Sequence, residues 1–108
     1  MYVRMARFEG IDVSQVDADA EQFRTMLSSD EGPEWMQADA FATLRDGVAR
    51  VISLVDRDAA VSVDLFFSRT AEDARRVDET LSGLTPPEGV GRRTSVETFE
   101  VLFDEQRS

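Results

Sequence analysis

The sequence predicts an α+β fold in which four antiparallel strands form one sheet and helices cover one of its faces. Three observations carry this. Gly47–Ser68 (GVARVISLVDRDAAVSVDLFFS) holds two β-rich runs, Ala49–Val55 and Ala60–Phe67, joined by the polar turn Asp56-Arg57-Asp58, which is the pattern of a hairpin. Apolar residues at helical spacing flank that hairpin on both sides. Alternating runs open and close the chain. The resulting order, β-α-(α)-β-β-α-β, is the split βαβ plan.

Each element has its own signal. Tyr2–Glu9 alternates Tyr2, Arg4, Ala6 and Phe8 with Val3, Met5 and Arg7, as a strand does. Gly10 begins an exit loop, and Ser14 followed by Asp17 is a candidate helix start. Val16, Ala20, Phe23, Met26 and Leu27 fall on one helical face, with Asp17, Asp19 and Glu21 near the positive end of the helix dipole. Ser28–Gly32 interrupts the pattern. Pro33 then suits the first position of a second helix, and Trp35, Met36, Ala38, Phe41, Ala42 and Leu44 continue to Asp46, with Gly47 as its C-terminal cap. The stretch 15–46 reads either as one kinked helix or as two helices, and two is preferred because of the Ser-Ser-Asp-Glu-Gly break.

After the hairpin, Thr70 with Asp73 resembles a capping box. Ala71, Ala74, Val77, Leu81 and Leu84 mark the inner face of a helix. Glu72, Asp73, Arg75, Arg76, Asp78 and Glu79 mark an outer, solvated face with i,i+4 pairs such as Glu72–Arg76. Gly83 ends the helix. Leu84–Gly91, rich in Pro and Gly, is a connection, and Arg92–Phe103 is the closing strand.

The second hairpin strand sets which side of the sheet does what. Val61, Val63, Leu65 and Phe67 are uniformly apolar and are expected to meet the helices. Ser62, Asp64, Phe66 and Ser68 form a mixed face, expected to be open. By the same parity Tyr2, Arg4 and Phe8 join the open side, with Ile52 or Val55 beside them. Helices cover only one side of such a sheet. A second copy is therefore expected to cover the aromatic patch of Tyr2, Phe8 and Phe66, making a homodimer through the sheet face.

Composition narrows the chemistry. At 108 residues the chain is expected to be a single domain, 1–108, large enough for a modest core. Its net charge of −10 argues against nucleic acid and against an anionic membrane surface. With no Cys there is no disulfide and no thiolate. With no His the commonest general base and the commonest metal and haem ligand are missing. All twelve basic side chains are Arg, so Schiff-base chemistry on a lysine is excluded, and there is no Asn. The expectation is a protein that carries no cofactor, haem or transition metal. The acids Asp17, Asp19 and Glu21 lack the loop spacing of a calcium site. No run approaches the roughly 20 apolar residues of a membrane span, and no signal peptide is read, so a cytoplasmic location is expected.

MYVRMARFEG at the start, GVARVISLVDRDAAVSVDLFFSRTAEDARR in the middle and VETFEVLF at the end carry a resemblance. Over about Tyr2 to Asp104 the chain resembles the dimeric α+β barrel superfamily, a ferredoxin-like fold. Within it, the likeness is to the antibiotic-biosynthesis-monooxygenase-type domains. That resemblance implies two sheets paired into a barrel and a pocket between sheet and helices. Some members are cofactor-independent oxygenases of aromatic, polyketide-like substrates, and some degrade haem. Haem-degrading members bind iron through a His, and oxygenase members use Asn, Trp, Tyr and Arg in combination; this chain has neither His nor Asn. The family's hairpin turn usually contains Gly, whereas here it is Asp-Arg-Asp-Ala-Ala.

Five residues are singled out as a candidate pocket: Tyr2, Arg4, Trp35, Asp64 and Phe66. Arg4 and Asp64 share one sheet face on neighbouring central strands. They read either as a polar anchor for a substrate atom or as an ion pair that fixes dimer register. Trp35, the sole Trp, reads as core or as a flat wall for a planar ligand. Tyr2 reads as an acid, a substrate contact or interfacial packing. Two functions compete. One is a dimeric module that binds a small apolar or aromatic molecule without catalysis, which the missing His, Asn, Cys and Lys favour. The other is a cofactor-independent monooxygenase using Arg4, Asp64, Trp35 and Tyr2. An enclosed apolar cavity with a few convergent polar groups is the discriminating feature.

Overall fold

The computed structural model describes residues 1–85 and 90–107. Its elements are β1 (Tyr2–Glu9), α1 (Val16–Ser28), α2 (Ala38–Gly47), β2 (Arg50–Asp56), β3 (Val61–Ser68), α3 (Ala71–Ser82) and β4 (Arg92–Glu100). The strands form one sheet in the order β2-β3-β1-β4, and every neighbouring pair is antiparallel. Each helical crossover joins strands that are not neighbours, which is the split βαβ plan the sequence predicts. The 15–46 stretch is two helices. Residues 86–89 of the predicted Leu84–Gly91 connection lie outside the described residues.

Local chemistry explains the boundaries. Asp56 turns the hairpin: its carboxylate accepts the backbone N–H groups of Asp58 and Ala59, both at 3.1 Å. Thr70 caps α3 by accepting from the Asp73 N–H at 3.1 Å, and Glu72–Arg76 and Arg75–Glu79 brace its outer face at 2.7 and 3.0 Å. Gly47 is the last residue of α2, not its cap, which is Val48. Its service is close approach, since a Cβ there would lie 2.9 Å from Val77 Cγ2 on α3.

Three predicted boundaries move. Ser14 does not cap α1; it donates to the Asp12 carboxylate, and Gln15 is the N-cap residue, without a side-chain bond. Pro33 does not open α2. It begins a separate turn, closed by Met36 N–H to the Pro33 carbonyl at 3.0 Å, and α2 starts at Ala38. β4 stops at Glu100 instead of Phe103, because Glu100 is the register partner of Tyr2, the first residue of β1, and beyond it β1 offers no further strand to pair with.

The face assignment is reversed. Phe66 lies in the core with Met36, Phe41, Leu44 and Val77, so the mixed face of β3 meets the helices. Arg4 stands opposite Phe66 in the β1–β3 register and points the same way, onto α3. The uniformly apolar set Val61, Val63, Leu65 and Phe67 therefore belongs to the open side. Tyr2, Phe8 and Phe66 do not form the open patch; Ile52, Leu65 and Met5 do, as register partners across β2, β3 and β1, with Val3 and Phe99 paired in the neighbouring row across β1 and β4. The physical reason is that a few large side chains suffice on the helix side. The helices supply most of that core volume, and of the polar strand residues there Arg4 finds partners on α3 and Asp64 on β2.

Candidate functional site

The space between helices and sheet is built from the bottom by Phe66. Its ring meets Phe23 of α1 edge-on, with centroids 6.0 Å apart at 88°. Phe41 and Leu44 of α2 close one side and Leu81 of α3 the other. They enclose an apolar chamber of about 80 Å³. Arg45 is the charged side chain at its wall among the described residues. α1 covers the chamber loosely: it contributes Phe23 and Met26, yet none of its residues is fully buried. Its outer end is tied to the hairpin by Arg57, which donates to both Asp17 oxygens at 2.8 and 3.2 Å. That bond and charge hold the Asp17 carboxyl below its usual range.

Trp35 stands at the boundary of this chamber. It is 54% exposed, so it is not the packed core residue its neighbours suggested. With Leu84 it lines the chamber on one side and an open groove of about 790 Å³ between α2 and α3 on the other. Gln37, Asp39, Thr43 and Thr80 give that groove hydroxyl, amide and carboxylate groups. An apolar space next to a polar groove, with an indole between, suits a ligand that has an apolar head and a hydrogen-bonding body.

Of the five nominated residues, the structure brings Trp35 and Phe66 together at this chamber. Tyr2, Arg4 and Asp64 share the helix-facing side of the sheet but are not among the residues lining it. Arg4 does not pair with Asp64. It is 3% exposed, and its Nε donates to Asp78 Oδ1 at 2.9 Å and its Nη2 to Ser82 Oγ at 3.4 Å. This is a clamp between β1 and α3, and removing one partner would leave a buried charge uncompensated. Asp78 thus leans toward β1 from the edge of the solvated face of α3, its side chain still 41% exposed. Its i,i+4 relation to Ser82 was the signal available in the sequence. Phe41, Leu44 and Leu81 were legible as core but not as cavity walls.

Asp64 accepts a hydrogen bond from Ser53 Oγ at 2.8 Å. Burial pushes its carboxyl above the ordinary value, while the Ser53 hydroxyl and the charge of Arg4 pull the other way. A raised folded-state value means that the folded protein holds this proton more tightly than the unfolded chain. The ionised carboxylate therefore costs stability above its folded value, and the cost disappears as pH falls toward 3.8. Asp64→Asn is accordingly expected to be at least as stable as the parent at pH 7, and the gap is expected to close near pH 4. Urea denaturation of both proteins across that range checks this. A variant less stable at pH 7 by as much as at pH 4 would show that the carboxylate is not penalised.

Among the described residues no three acidic side chains converge into a group that could hold a metal ion. Ser68 Oγ is buried without a hydrogen-bond partner, one strand position from Arg69 and opposite Tyr2. Among the described residues no helix is long and apolar enough to cross a membrane.

No family model and no curated protein sequence matches the chain. Among solved structures, it is similar to a dimeric ferredoxin-like protein from an uncultured marine organism. The two share 10% sequence identity over 98% of each chain, with a TM-score of 0.59. The fold is ferredoxin-like. The ferredoxin-like arrangement accounts for the chamber's place, since three helices on one face of the sheet leave interior space only between those two layers.

Proposed function

We propose that the protein is a homodimeric binding module of the dimeric α+β barrel type. Two copies pair through the open sheet face, and each holds a small apolar or aromatic molecule in its own sheet–helix chamber, without catalysis by its side chains. The observation that carries the binding reading is the apolar chamber with Trp35 and Leu84 shared between it and the polar groove. A dry cavity of about 150 Å³ holds a benzene ring. At about 80 Å³ the chamber takes a smaller group, or takes a ring once the exposed Trp35 moves aside. The pairing reading is supported by the apolar side chains on the face away from the helices, the half-buried Val3, Met5, Ile52 and Leu65 and the exposed Phe99. That the similar marine protein is dimeric agrees with it.

The oxygenase reading fits less well. Of the residues it needs, only Trp35 borders the chamber; Arg4 is engaged by Asp78, and Asp64 by Ser53. The likeness to antibiotic-biosynthesis-monooxygenase-type domains stays a reading of the strand and hairpin pattern.

The test uses the sole Trp as reporter. Titration with p-cresol, a small ring with one polar atom, is expected to change Trp35 emission and saturate. Val48→Leu, which enlarges a chamber-lining side chain, is expected to weaken that binding at least tenfold. A linear, unsaturable response identical in both proteins would reject the chamber as a ligand site.

A further inference from the structure

Past Glu100 the chain becomes a short apolar arm. The Val101 N–H donates to the Met1 carbonyl at 2.8 Å, where β1 begins. Three residues later the Asp104 carboxylate accepts from Arg50 Nη1 at 3.0 Å, where β2 begins. β4 and β2 are the two edge strands, so the arm crosses the whole end of the sheet. Between the two ties Leu102 and Phe103 are 90% and 81% exposed.

We propose that Leu102 and Phe103 are contacts to a second copy of this chain, each protomer's arm lying against its partner at the rim of the paired sheets. The inference rests on the sheet pairing proposed above and names further residues that make it. Position argues for it first. Arg50, which holds the arm, lies over the Phe67 ring at 5.6 Å, and Arg50, Phe67, Val3 and Phe99 are register partners in one row across the open face. The arm therefore continues the surface that the partner covers. Order argues for it next. Two ties fix the arm at Val101 and Asp104, so part of the backbone entropy of placing the two apolar side chains between them is spent before any partner arrives. Symmetry adds that a two-fold axis brings both arms into use at once.

Sedimentation velocity over a dilution series tests this on the parent chain, on Leu102→Ser/Phe103→Ser and on Leu102→Met/Phe103→Leu. The expected result is a dimeric parent, a serine variant whose dissociation constant rises more than tenfold with an unchanged circular dichroism spectrum, and an apolar variant within about threefold of the parent. A parent that is monomeric at micromolar concentration overturns the sheet pairing and the arm together. A dimeric parent whose serine variant dissociates no more readily overturns the arm alone. Equal weakening in both variants overturns the apolar contact as its basis.

Discussion

Phe66→Ala is expected to lower the stability of the fold by about 3–5 kcal/mol, the usual cost of removing a buried Phe. Phe66 is a core residue, facing Phe23 edge-on and packed with Met36, Phe41, Leu44 and Val77. Its ring is also the floor of the chamber, so the vacated volume merges with existing space and the walls cannot all collapse inward. Domains of this size hold only about 5–15 kcal/mol in total. The loss is therefore visible as a large shift in the urea midpoint, and Phe66→Arg is expected not to fold at all. A loss below about 1 kcal/mol for the alanine variant would place Phe66 outside the core.

One residue earlier, the opposite outcome is expected. Leu65→Arg is expected to keep the monomer fold and abolish the dimer. Leu65 stands opposite Met5 on one side and Ile52 on the other, in the middle of the open face, away from every helix. In a two-fold pair the new charge is present twice near the axis and loses its water on both sides. The dimer dissociation constant is expected to rise at least a hundredfold in sedimentation velocity, with helical circular dichroism intact. An unchanged dimer would move the interface elsewhere. A variant that loses its helical signal would mean that Leu65 packs inside the protomer. Adjacent side chains on one strand thus separate the two surfaces of the sheet, which tests the face assignment more directly than either variant alone.

Which parts of this were legible in the sequence follows from the range of the interactions. The hairpin, the Thr70 cap, the break between α1 and α2 and the i,i+4 pairs of α3 all depend on residues within a few positions of one another. Composition and spacing carry that information directly. The candidate site was legible only in part. Trp35 and Phe66 do meet at the chamber, because both are large apolar groups next to helical core positions. Arg4 and Asp64 were placed correctly on one face, since strand parity guarantees it. Their partners, Asp78 and Ser53, come from elements far along the chain and were not assigned.

The sequence by itself determined the α+β class, the order of its elements and the division of each strand into two unlike faces. Alternation along a strand is local, and so are caps and turns. Only the tertiary structure decided which face meets the helices, because a period of two distinguishes the faces without saying which side the crossover helices occupy. On β3 both faces carry a Phe, at Phe66 and Phe67, so hydrophobicity alone favoured the more uniformly apolar side. The helices settled on the other, where Phe66 fills their core and Arg4 finds Asp78. The uniformly apolar face is left on the side of the sheet away from the helices.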